Sequence, residues 1–369
     1  MTGQTVSGEF GERILDDEGA VHAGAEIPDL SDEQLVEMYH WMRFGRRFDE
    51  KGVSLQRQGR MGTFSTLTGH EAALVGSEFA MDDGDWIAPY YRDHLATIAH
   101  GVPPENIYQY YMGHEDGNKI PEDVPVLPIS IVVGSHLLHG VGVAWGSTLT
   151  DSDDAVVTTY FGDGATSEGD FHEALNFAGV FDTPNLFFCL NNQWAISTPS
   201  NRQTASETFA QKANAYGFDG IRVDGTDPLA VYSVTKRAAE QARTPDGDEP
   251  RPSLIEAVLY RVAAHNTADD PSNYRSDEAK ERWEKRDPVG RFETFLQETG
   301  RIDDDRIEEI ESDVEATVEA AVDAAEATVA DPNEMFEYAY ETPPIDVQRQ
   351  NDYLQTLRSE YGDDALLED

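Results

Sequence analysis

At 369 residues, of which 39% are apolar, the chain can bury a sizeable core as one large domain or two smaller ones. Its 71 Asp and Glu against 27 Lys and Arg give a net charge of −44, which would repel free nucleic acid or an anionic membrane surface. No run of 18 apolar residues occurs, so we expect no membrane span.

The acidic residues are spread over the whole chain, which argues against an acidic tail for a basic partner. Adaptation to concentrated salt fits better, because the Debye length is roughly 3 Å at 1 M salt and self-repulsion is then screened. The N-terminus lacks the basic and apolar regions of a secretory signal. We therefore expect a halophilic, cytoplasmic protein.

The first predicted elements are an arm and two helices. We interpret the polar, acidic residues 1–29 as an N-terminal arm, flexible or laid on a partner. Ser31 and Gln34 form a capping box at the start of the first strong helix. A second capping box, Thr68 with Glu71, predicts another helix.

From residue 128 onward, strand and helix patterns alternate. PISIVVG reads as a strand ending in a glycine turn, and AVVTTYF, NLFFCL, GIRVDG and SLIEAVLY are further strands. Cys189, the lone cysteine, lies in NLFFCL and is expected to be a buried structural thiol. The alternation predicts an α/β domain over residues 30–300, with a mostly parallel central sheet and helices on both faces.

Residues 301–369 are predicted to form a C-terminal helical extension. One stripe of its first helix is apolar and the opposite face is acidic. We expect the stripe to pack against the domain or a subunit rather than form a coiled coil. Its members are Ile307, Ile310, Val314, Val318, Val322 and Ala325.

Two strand ends carry the residues that suggest a function. Gly162-Asp163-Gly164 ends one apolar run and Asn191-Asn192 ends the next, with 26 residues between Gly164 and Asn191, about what a helix and a return strand require. Gly-Asp-Gly alone is weak evidence, since it is also a good turn. In a parallel sheet, however, ligands bind beyond the carboxyl ends of the strands. The dinucleotide and P-loop motifs are absent from this stretch.

A shared Mg²⁺–diphosphate site explains this pattern. Glycines let the backbone approach a phosphate closely, and the amides of a helix N-terminus favour an anion. Asp163 beside a diphosphate requires a cation between them, and Mg²⁺ binds carboxylate and phosphate oxygens. Asn192 can supply an amide oxygen from the next strand. The spacing resembles the thiamin diphosphate fingerprint.

Further blocks make the resemblance specific to one family. They include YYRDH, YFGDGATSEGDFHEALNFAGV, FFCLNNQWAIST, LIEAVLYR and HNTADDPSNYRS. Over about residues 30–354 the chain resembles the alpha subunit of the decarboxylating component of 2-oxo acid dehydrogenase complexes, of the pyruvate or branched-chain type. The resemblance implies an oxidoreductase that uses thiamin diphosphate and Mg²⁺ to decarboxylate a 2-oxo acid and passes the acyl group to a lipoyl carrier.

The resemblance also implies roles for individual residues. Asp163, Asn192 and the main-chain carbonyl of Trp194 are expected to bind Mg²⁺. Contacts to the cofactor are expected from Tyr91, Arg92, Ile131, Val133, Gly162, Gly164, Ala165 and His265.

Two histidines are candidates for catalysis. His265 matches the histidine of the family's active-centre loop, which touches the diphosphate and assists acyl transfer. His94 matches the histidine after the Tyr-Arg-Asp of the family's motif. Without the family context, His265 reads as an ordinary loop residue and Arg92 as a partner of Asp93.

The resemblance reaches four further residues outside the cofactor set. Asp170 and Glu173 match acids that line a solvent tunnel between two active sites, although Asp170 equally suits a helix N-terminus. Asn266 stands where the family carries its main regulatory phosphoserine, so we expect no kinase switch there. Ser276 matches a second, lesser phosphorylation site.

The remaining expectations concern a second cation and the partners. PISIVVGSH resembles a potassium-binding turn with Ser130 and Ser135 as candidate ligands, although Val132 replaces a proline. The family's aminopyrimidine-contacting glutamate comes from a separate beta subunit, so we expect an α2β2 assembly and a lipoyl acyltransferase as the next partner. An acetoin dehydrogenase alpha subunit, a non-catalytic scaffold and a module for another phosphorylated ligand stay open as alternatives.

Overall fold

The structure is a computed structural model that describes residues 2–150, 155–247, 249–329, 332–337, 340–363 and 365. The chain divides into two compact units, residues 1–325 and 326–369. The larger unit contains the sheet and most of the helices, and the smaller unit is helical.

The strands are short, between two and seven residues long. They are β1 Val6–Gly8, β2 Gly11–Arg13, β3 Trp86–Ala88, β4 Val157–Gly162, β5 Asn185–Asn191, β6 Trp194–Ala195, β7 Thr198–Pro199, β8 Asp219–Asp224 and β9 Ser253–Val258.

Within the described ranges, seven of these strands form one sheet in the order β1-β2-β8-β9-β5-β4-β3. β1 and β2 pair antiparallel, and the other neighbouring pairs are parallel. β6 and β7 form a separate hairpin. β5 and β9 are buried along their whole length, as expected for central strands covered on both faces. The predicted fold class is confirmed.

The helices belong to both units, and those of the larger unit pack around the sheet. They are α1 Asp32–Arg57, α2 Glu71–Glu78, α3 His94–Ala99, α4 Pro104–Met112, α5 Ser135–Thr150, α6 Gly169–Phe181, α7 Pro228–Arg243, α8 Asp277–Glu284, α9 Pro288–Glu298, α10 Asp304–Glu326, α11 Glu334–Glu337 and α12 Ile345–Tyr361. None of the described helices is long and apolar enough to cross a membrane. The capping box of Ser31 and Gln34 is confirmed at the start of α1, with both reciprocal hydrogen bonds present.

Alternate residues of β5 face two separate apolar cores. Phe188 and Leu190 join the larger core with α1, α2 and α7, whereas Phe187 and Cys189 join a smaller core with α5 and α6. Burial raises the pKa of the Cys189 thiol well above its ordinary value. Cys189 is therefore a structural residue, as expected.

The N-terminal residues differ from the expected flexible or partner-bound arm. Residues 6–13 form the hairpin β1–β2, and Glu12 pairs with Val223 at the edge of the sheet. The Asp227 carboxylate then accepts the backbone N–H groups of Ile14 and Leu15 at 2.7 and 2.6 Å. The segment therefore packs on its own chain. The sequence did not reveal this, because backbone hydrogen bonds between strands do not require an apolar side-chain pattern.

The capping box predicted from Thr68 and Glu71 is wrong. α2 begins at Glu71 with His70 as N-cap, and no side chain caps it. The Thr68 hydroxyl donates to Asp49 at 2.8 Å, and the Glu71 carboxylate accepts from Arg46 at 2.6 Å. Both side chains are used in tertiary contacts, which local spacing does not reveal.

The strand predicted for PISIVVG is also wrong. The segment makes one isolated parallel bridge, between Tyr90 and Ser130, and then turns. Ile131, Val132 and Val133 are exposed rather than buried in the sheet. The β-branched residues mark an exposed apolar loop here.

The apolar stripe of α10 packs against the larger core, as predicted. Ile307 is half-buried, and the stripe continues through fully buried positions. These are Ile310, Val314, Val318, Val322 and Ala325.

Helix α1 and helix α10 are also joined by an ion-pair ladder in matched register. Its three rungs are Arg43–Glu311, Arg47–Glu315 and Lys51–Glu319. Successive members on each helix are four residues apart, so they lie on one face of each helix. The ladder uses three of the chain's 27 basic residues to fix how α10 lies on α1.

Candidate active site

The carboxyl ends of β4 and β5 meet at one edge of the sheet. Gly162 lies opposite Leu190, so Asp163 follows β4 beside the end of β5 at Asn191. The residues after β4 form a 3₁₀ turn, Asp163–Ser167, before α6 begins. The structure therefore brings the two strand ends together, with the glycines in a turn that precedes the helix.

Asp163 is a buried carboxylate with one satisfied oxygen. Its Oδ2 accepts hydrogen bonds from Gln203 at 2.6 Å and from Ser200 at 3.2 Å. Its Oδ1 is buried and has no hydrogen-bond partner among the described residues. Burial raises the pKa of Asp163 to about 6, although the bonds from Gln203 and Ser200 lower it. A buried acceptor without a donor indicates that a group is still to be bound there.

The two adjacent asparagines have different surroundings. Asn191 donates to Glu256 at 2.7 Å and accepts from Ser200 at 3.3 Å, so its side chain is engaged inside the protein. Asn192 lines a cavity at the strand ends. Its Oδ1 accepts the backbone N–H of Trp194 at 3.3 Å and keeps a second lone pair.

This cavity measures about 190 Å³. Ile131 is not part of its lining and is 52% exposed, and Asp163 and His94 do not line it either. Most of the residues predicted to bind the cofactor do: Tyr91, Arg92, Val133, Gly162, Gly164, Ala165, Asn192, Trp194 and His265. The structure thus gathers nearly the whole predicted cofactor set around one opening.

Arg92 is a buried cation whose hydrogen bonds, among the described residues, go to neutral groups. It is 2% exposed and donates to the carbonyls of Thr66 and His265. Within the described ranges it makes no ion pair with a carboxylate, so the expected alternative of a pair with Asp93 is not observed. Asp93 instead accepts the backbone N–H of Tyr90 at 3.0 Å.

Arg261 is a second buried cation of the same kind. It is 1% exposed and donates to the Ile196 carbonyl at 2.7 Å and to the Tyr274 hydroxyl at 2.8 Å. Burial and the nearby Arg92 lower the pKa of its guanidinium group. No carboxylate among the described residues pairs with it. Since buried unpaired charges are costly, two such groups together indicate that an anion binds beside them.

His265 lies between these arginines and the cavity. Its Nδ1 is 3.2 Å from Arg92 Nη2 and 3.5 Å from Arg261 Nη1, both of which are donors. Nδ1 is therefore the acceptor, and the ring proton is on Nε2. Burial and the two guanidinium groups lower the pKa of His265 to about 4, so the imidazole is neutral at neutral pH.

His94 has surroundings that differ from those of a catalytic group. It is 1% exposed, and its ring lies 5.6 Å from those of Phe48 and Phe64. Its Nε2 is 3.6 Å from Asp49 Oδ1, and neither ring nitrogen has a hydrogen-bond partner within the described residues. These contacts suit packing against Phe48 and Phe64, and none of them supports a catalytic role.

The other predicted residues lie outside the cavity. Asp170 and Glu173 are exposed in the first turns of α6. Asn266 accepts the backbone N–H of Ala268 at 2.9 Å. Ser276 is exposed and caps the N-terminus of α8.

The oxygens of the predicted potassium turn converge. Ser130 Oγ is 3.0 Å from Ser135 Oγ, and both hydroxyls lie close to the Val132 carbonyl, at 3.2 and 2.9 Å. The turn therefore places three oxygen atoms around one point, in the loop next to the cavity.

Two residues of the site were missed by the sequence reasoning. Arg261 follows β9 at the same edge of the sheet, and its backbone N–H donates to the Asn192 carbonyl at 3.2 Å. A basic residue at a third strand end was a usable signal. His70 contacts the Asn192 side chain at 3.2 Å from a turn before α2, a tertiary contact with no sequence signal.

Comparison with known proteins gives the same assignment. The family described as dehydrogenase E1 component matches residues 39–333. The chain is 40% identical over 343 residues to the pyruvate dehydrogenase E1 component subunit alpha of Staphylococcus aureus, covering 92% of this chain and 90% of that protein. The Bacillus cereus protein of the same name is 39% identical with the same coverage. That of Staphylococcus epidermidis is 42% identical over 299 residues, covering 81% and 80%.

Fold, cavity and relatives together define an α/β oxidoreductase subunit of the kind that uses thiamin diphosphate on 2-oxo acids. The chain belongs to the dehydrogenase E1 component family, as an alpha-type member. The family, the enzyme class and the thiamin diphosphate cofactor predicted from the sequence are confirmed.

Proposed function

We propose that this chain is the alpha subunit of an α2β2 enzyme that binds thiamin diphosphate through Mg²⁺ and decarboxylates a 2-oxo acid, with pyruvate as the first candidate. One observation carries the proposal. In a chain of net charge −44, two buried arginines and a buried carboxylate oxygen lie at the same strand ends, and among the described residues the arginines have no acidic partner and the oxygen has no donor. A metal diphosphate provides the anion for the arginines and the cation for the carboxylate.

The available oxygen atoms suit Mg²⁺. They are Asp163 Oδ1, Asn192 Oδ1 and the Trp194 carbonyl, which accepts a 3.5 Å contact from Arg261 and keeps a lone pair. Among the described residues, no group of three or more His, Cys, Asp or Glu side chains forms a metal site. That fits a site in which amide, carbonyl and phosphate oxygens complete the set around a single carboxylate.

The chain's own residues would bind and orient the cofactor. Arg92 and Arg261 neutralise the diphosphate, and the turn with Gly162 and Gly164 lets backbone N–H groups approach it. The Nε2–H of His265 is free to donate to a phosphate oxygen or to the departing acyl group. Thiamin diphosphate, when bound, supplies the nucleophilic carbon and the electron sink.

A beta subunit is needed to complete the site. The cavity of about 190 Å³ is smaller than the roughly 300–1,000 Å³ of usual small-molecule pockets, so this chain encloses part of the cofactor. Of its lining residues Val133 and Ile196 are exposed, and so are Ile131 and Val132, which precede Val133 in the chain. Glu168 lines the cavity, but it directly follows the glycine turn and so lies at the proposed diphosphate end of the cofactor. We therefore assign the aminopyrimidine-contacting glutamate to the beta subunit, which would also cover the exposed apolar residues beside the cavity.

The potassium site is proposed on the three converging oxygens of Ser130, Val132 and Ser135. A bound cation there would order the exposed loop at residues 131–133, which contributes Val133 to the cavity. We propose that the acyl product is transferred to a lipoyl acyltransferase. Pyruvate is the favoured substrate because the relatives are named pyruvate dehydrogenase E1 component subunit alpha.

The proposal is tested by co-purifying the chain with its beta subunit and following decarboxylation with an artificial electron acceptor. Pyruvate, branched-chain 2-oxo acids and acetoin are compared at equal concentration. We expect the highest kcat/KM for pyruvate, dependence on Mg²⁺, and no turnover by the isolated chain. A higher kcat/KM for a branched-chain 2-oxo acid or for acetoin would contradict pyruvate as the substrate. Tight thiamin diphosphate binding in excess chelator would contradict the proposed Mg²⁺ site.

A further inference from the structure

The amide of Asn192 must be held in one of two orientations if it is to bind a cation. An asparagine side chain has nearly the same shape when its oxygen and nitrogen are exchanged, and hydrogen-bond partners decide which orientation is adopted. Only the oxygen can coordinate Mg²⁺. Asn192 is 4% exposed, so its neighbours in the protein rather than solvent select the orientation.

His70 is the neighbour that makes this selection. Its Nδ1 lies 2.9 Å from the Leu67 carbonyl, which can only accept, so Nδ1 carries the ring proton. Nε2 then has a lone pair and can only accept. It lies 3.2 Å from Asn192 Nδ2, which must be the NH₂ group donating to it.

The opposite end of the amide gives the same orientation. The backbone N–H of Trp194 is a donor and lies 3.3 Å from Asn192 Oδ1. Two independent partners, an acceptor on one end and a donor on the other, therefore agree. If the amide were reversed, lone pairs would face each other at His70 and N–H groups would face each other at Trp194.

The turn that carries His70 is itself held firmly. Asp49 Oδ2 accepts the backbone N–H groups of Leu67 and Thr68 at 2.7 and 2.8 Å. Glu71 Oε2 accepts the backbone N–H of Gly69 at 2.8 Å. His70 is fully buried, so its ring has little freedom to leave the Leu67 carbonyl.

We infer that His70 is a positioning residue, which fixes the Asn192 amide so that its oxygen faces the metal and its nitrogen faces away. This inference rests on the proposed function, because it concerns a proposed Mg²⁺ ligand. His70 acts through Asn192 and touches neither metal nor cofactor.

The test measures Mg²⁺ affinity directly, by calorimetric titration of Mg²⁺ into the chain co-purified with its beta subunit in saturating thiamin diphosphate. His70→Phe keeps a flat ring but removes the acceptor, and we expect its Mg²⁺ affinity to fall about 10- to 100-fold, as for other residues that orient metal ligands. His70→Gln is the matched control. Its amide can donate to Leu67 and accept from Asn192, so we expect an affinity within about threefold of the wild type.

A second comparison separates orientation from general packing. Asn192→Asp replaces the amide with a carboxylate whose two oxygens are equivalent, so there is no orientation left to fix. In that background His70→Phe should cost less than about threefold in Mg²⁺ affinity, which makes the two substitutions strongly non-additive. An equal loss in both backgrounds would show a purely structural role and overturn the inference.

Two further outcomes are decisive. Equal Mg²⁺ affinity in wild type and His70→Phe would overturn the inference while leaving the proposed function intact. Absence of Mg²⁺-dependent thiamin diphosphate binding in the wild type would overturn both. If His70→Phe lowers Tm without ligand, His70→Met carries the same test, because its flexible side chain fits the space and offers no nitrogen acceptor.

Discussion

Arg92 Nη2 donates a 2.9 Å hydrogen bond to the main-chain carbonyl of His265, which joins residues 173 positions apart at one edge of the sheet. The same guanidinium group holds the Thr66 carbonyl and approaches His265 Nδ1. One side chain thus sets both the position of the loop histidine and its tautomer, while remaining without an acidic partner in the described part of the chain.

Replacing Arg92 with lysine should therefore weaken cofactor binding although the charge is kept. A lysine cannot donate to two carbonyls and a diphosphate from one planar fork. Losing one charged hydrogen bond costs about 1.5–3 kcal/mol, so we expect roughly 10- to 150-fold weaker thiamin diphosphate binding by calorimetry. Arg43→Lys, on the exposed ladder, is the control and should bind normally.

Asp163→Asn should abolish the metal dependence of cofactor binding, with affinity at least about 100-fold lower, because the charged ligand is lost. The metal-free variant should nevertheless be at least as stable as the wild type at pH 7. Burial raises the pKa of Asp163 to about 6, so between about pH 4 and 6 the unfolded state loses a proton that the folded state keeps.

The wild type therefore loses stability as pH rises through that window, by at most about 2–3 kcal/mol, and Asp163→Asn does not. Chemical denaturation at several pH values in chelator measures the difference. Parallel pH profiles for the two proteins would refute this account of the carboxylate.

His265 should destabilise the cofactor-free chain in acid. Burial and the two arginines lower its pKa to about 4, so below about pH 6.5 the unfolded state binds a proton that the folded state does not. The wild type should lose stability relative to His265→Gln as pH falls from about 6.5 to about 4, with no further loss below. NMR titration of the ring should also show its pKa rising when thiamin diphosphate brings negative charge beside it.

Gly164→Ala should disturb the glycine turn. The added Cβ would lie 2.9 Å from Ala195 Cβ, and that neighbour cannot move without its backbone. We expect a lower Tm and weaker thiamin diphosphate binding, with a loss of stability of about 1–3 kcal/mol for the forced overlap. Gly169→Ala, where a Cβ would meet nothing within 4 Å, is the matched control and should keep the wild-type Tm or raise it slightly.

The whole chain should be more stable in concentrated salt. Acidic residues outnumber basic ones by 71 to 27, and their repulsion is screened as the Debye length falls from about 10 Å at 0.1 M to about 3 Å at 1 M. Salt also weakens exposed ion pairs such as Arg47–Glu315, but each contributes at most about 1 kcal/mol. We expect Tm to rise steadily with KCl; a constant Tm would remove the case for a halophilic protein.

Several features of the site were predictable from sequence because they depend on spacing along the chain. Asp163 and Asn192 follow strands separated by one helix, and parallel pairing then places the two strand ends side by side. The residues that local patterns missed act across the fold. His70 reaches Asn192 over 122 positions, and the role of Thr68 is set by Asp49 on α1.

The N-terminal hairpin is another feature that side-chain patterns could not predict. β1 and β2 are three residues each and mostly polar, so the pairing of β1 with β2 and of β2 with β8 depends on backbone hydrogen bonds, which no alternation of apolar side chains predicts. The loop around Val132 was misread for the opposite reason, since its apolar β-branched residues suit a strand yet lie on the surface.

The ladder between α1 and α10 bears on how the protein is made. Its rungs connect positions 268 residues apart, so Arg43 and Lys51 emerge from the ribosome long before their glutamates do. The part of the α1 surface that α10 covers therefore stays exposed through most of translation. Chaperones that shield exposed surfaces of nascent chains would therefore be needed until α10 has been synthesised and has docked on α1.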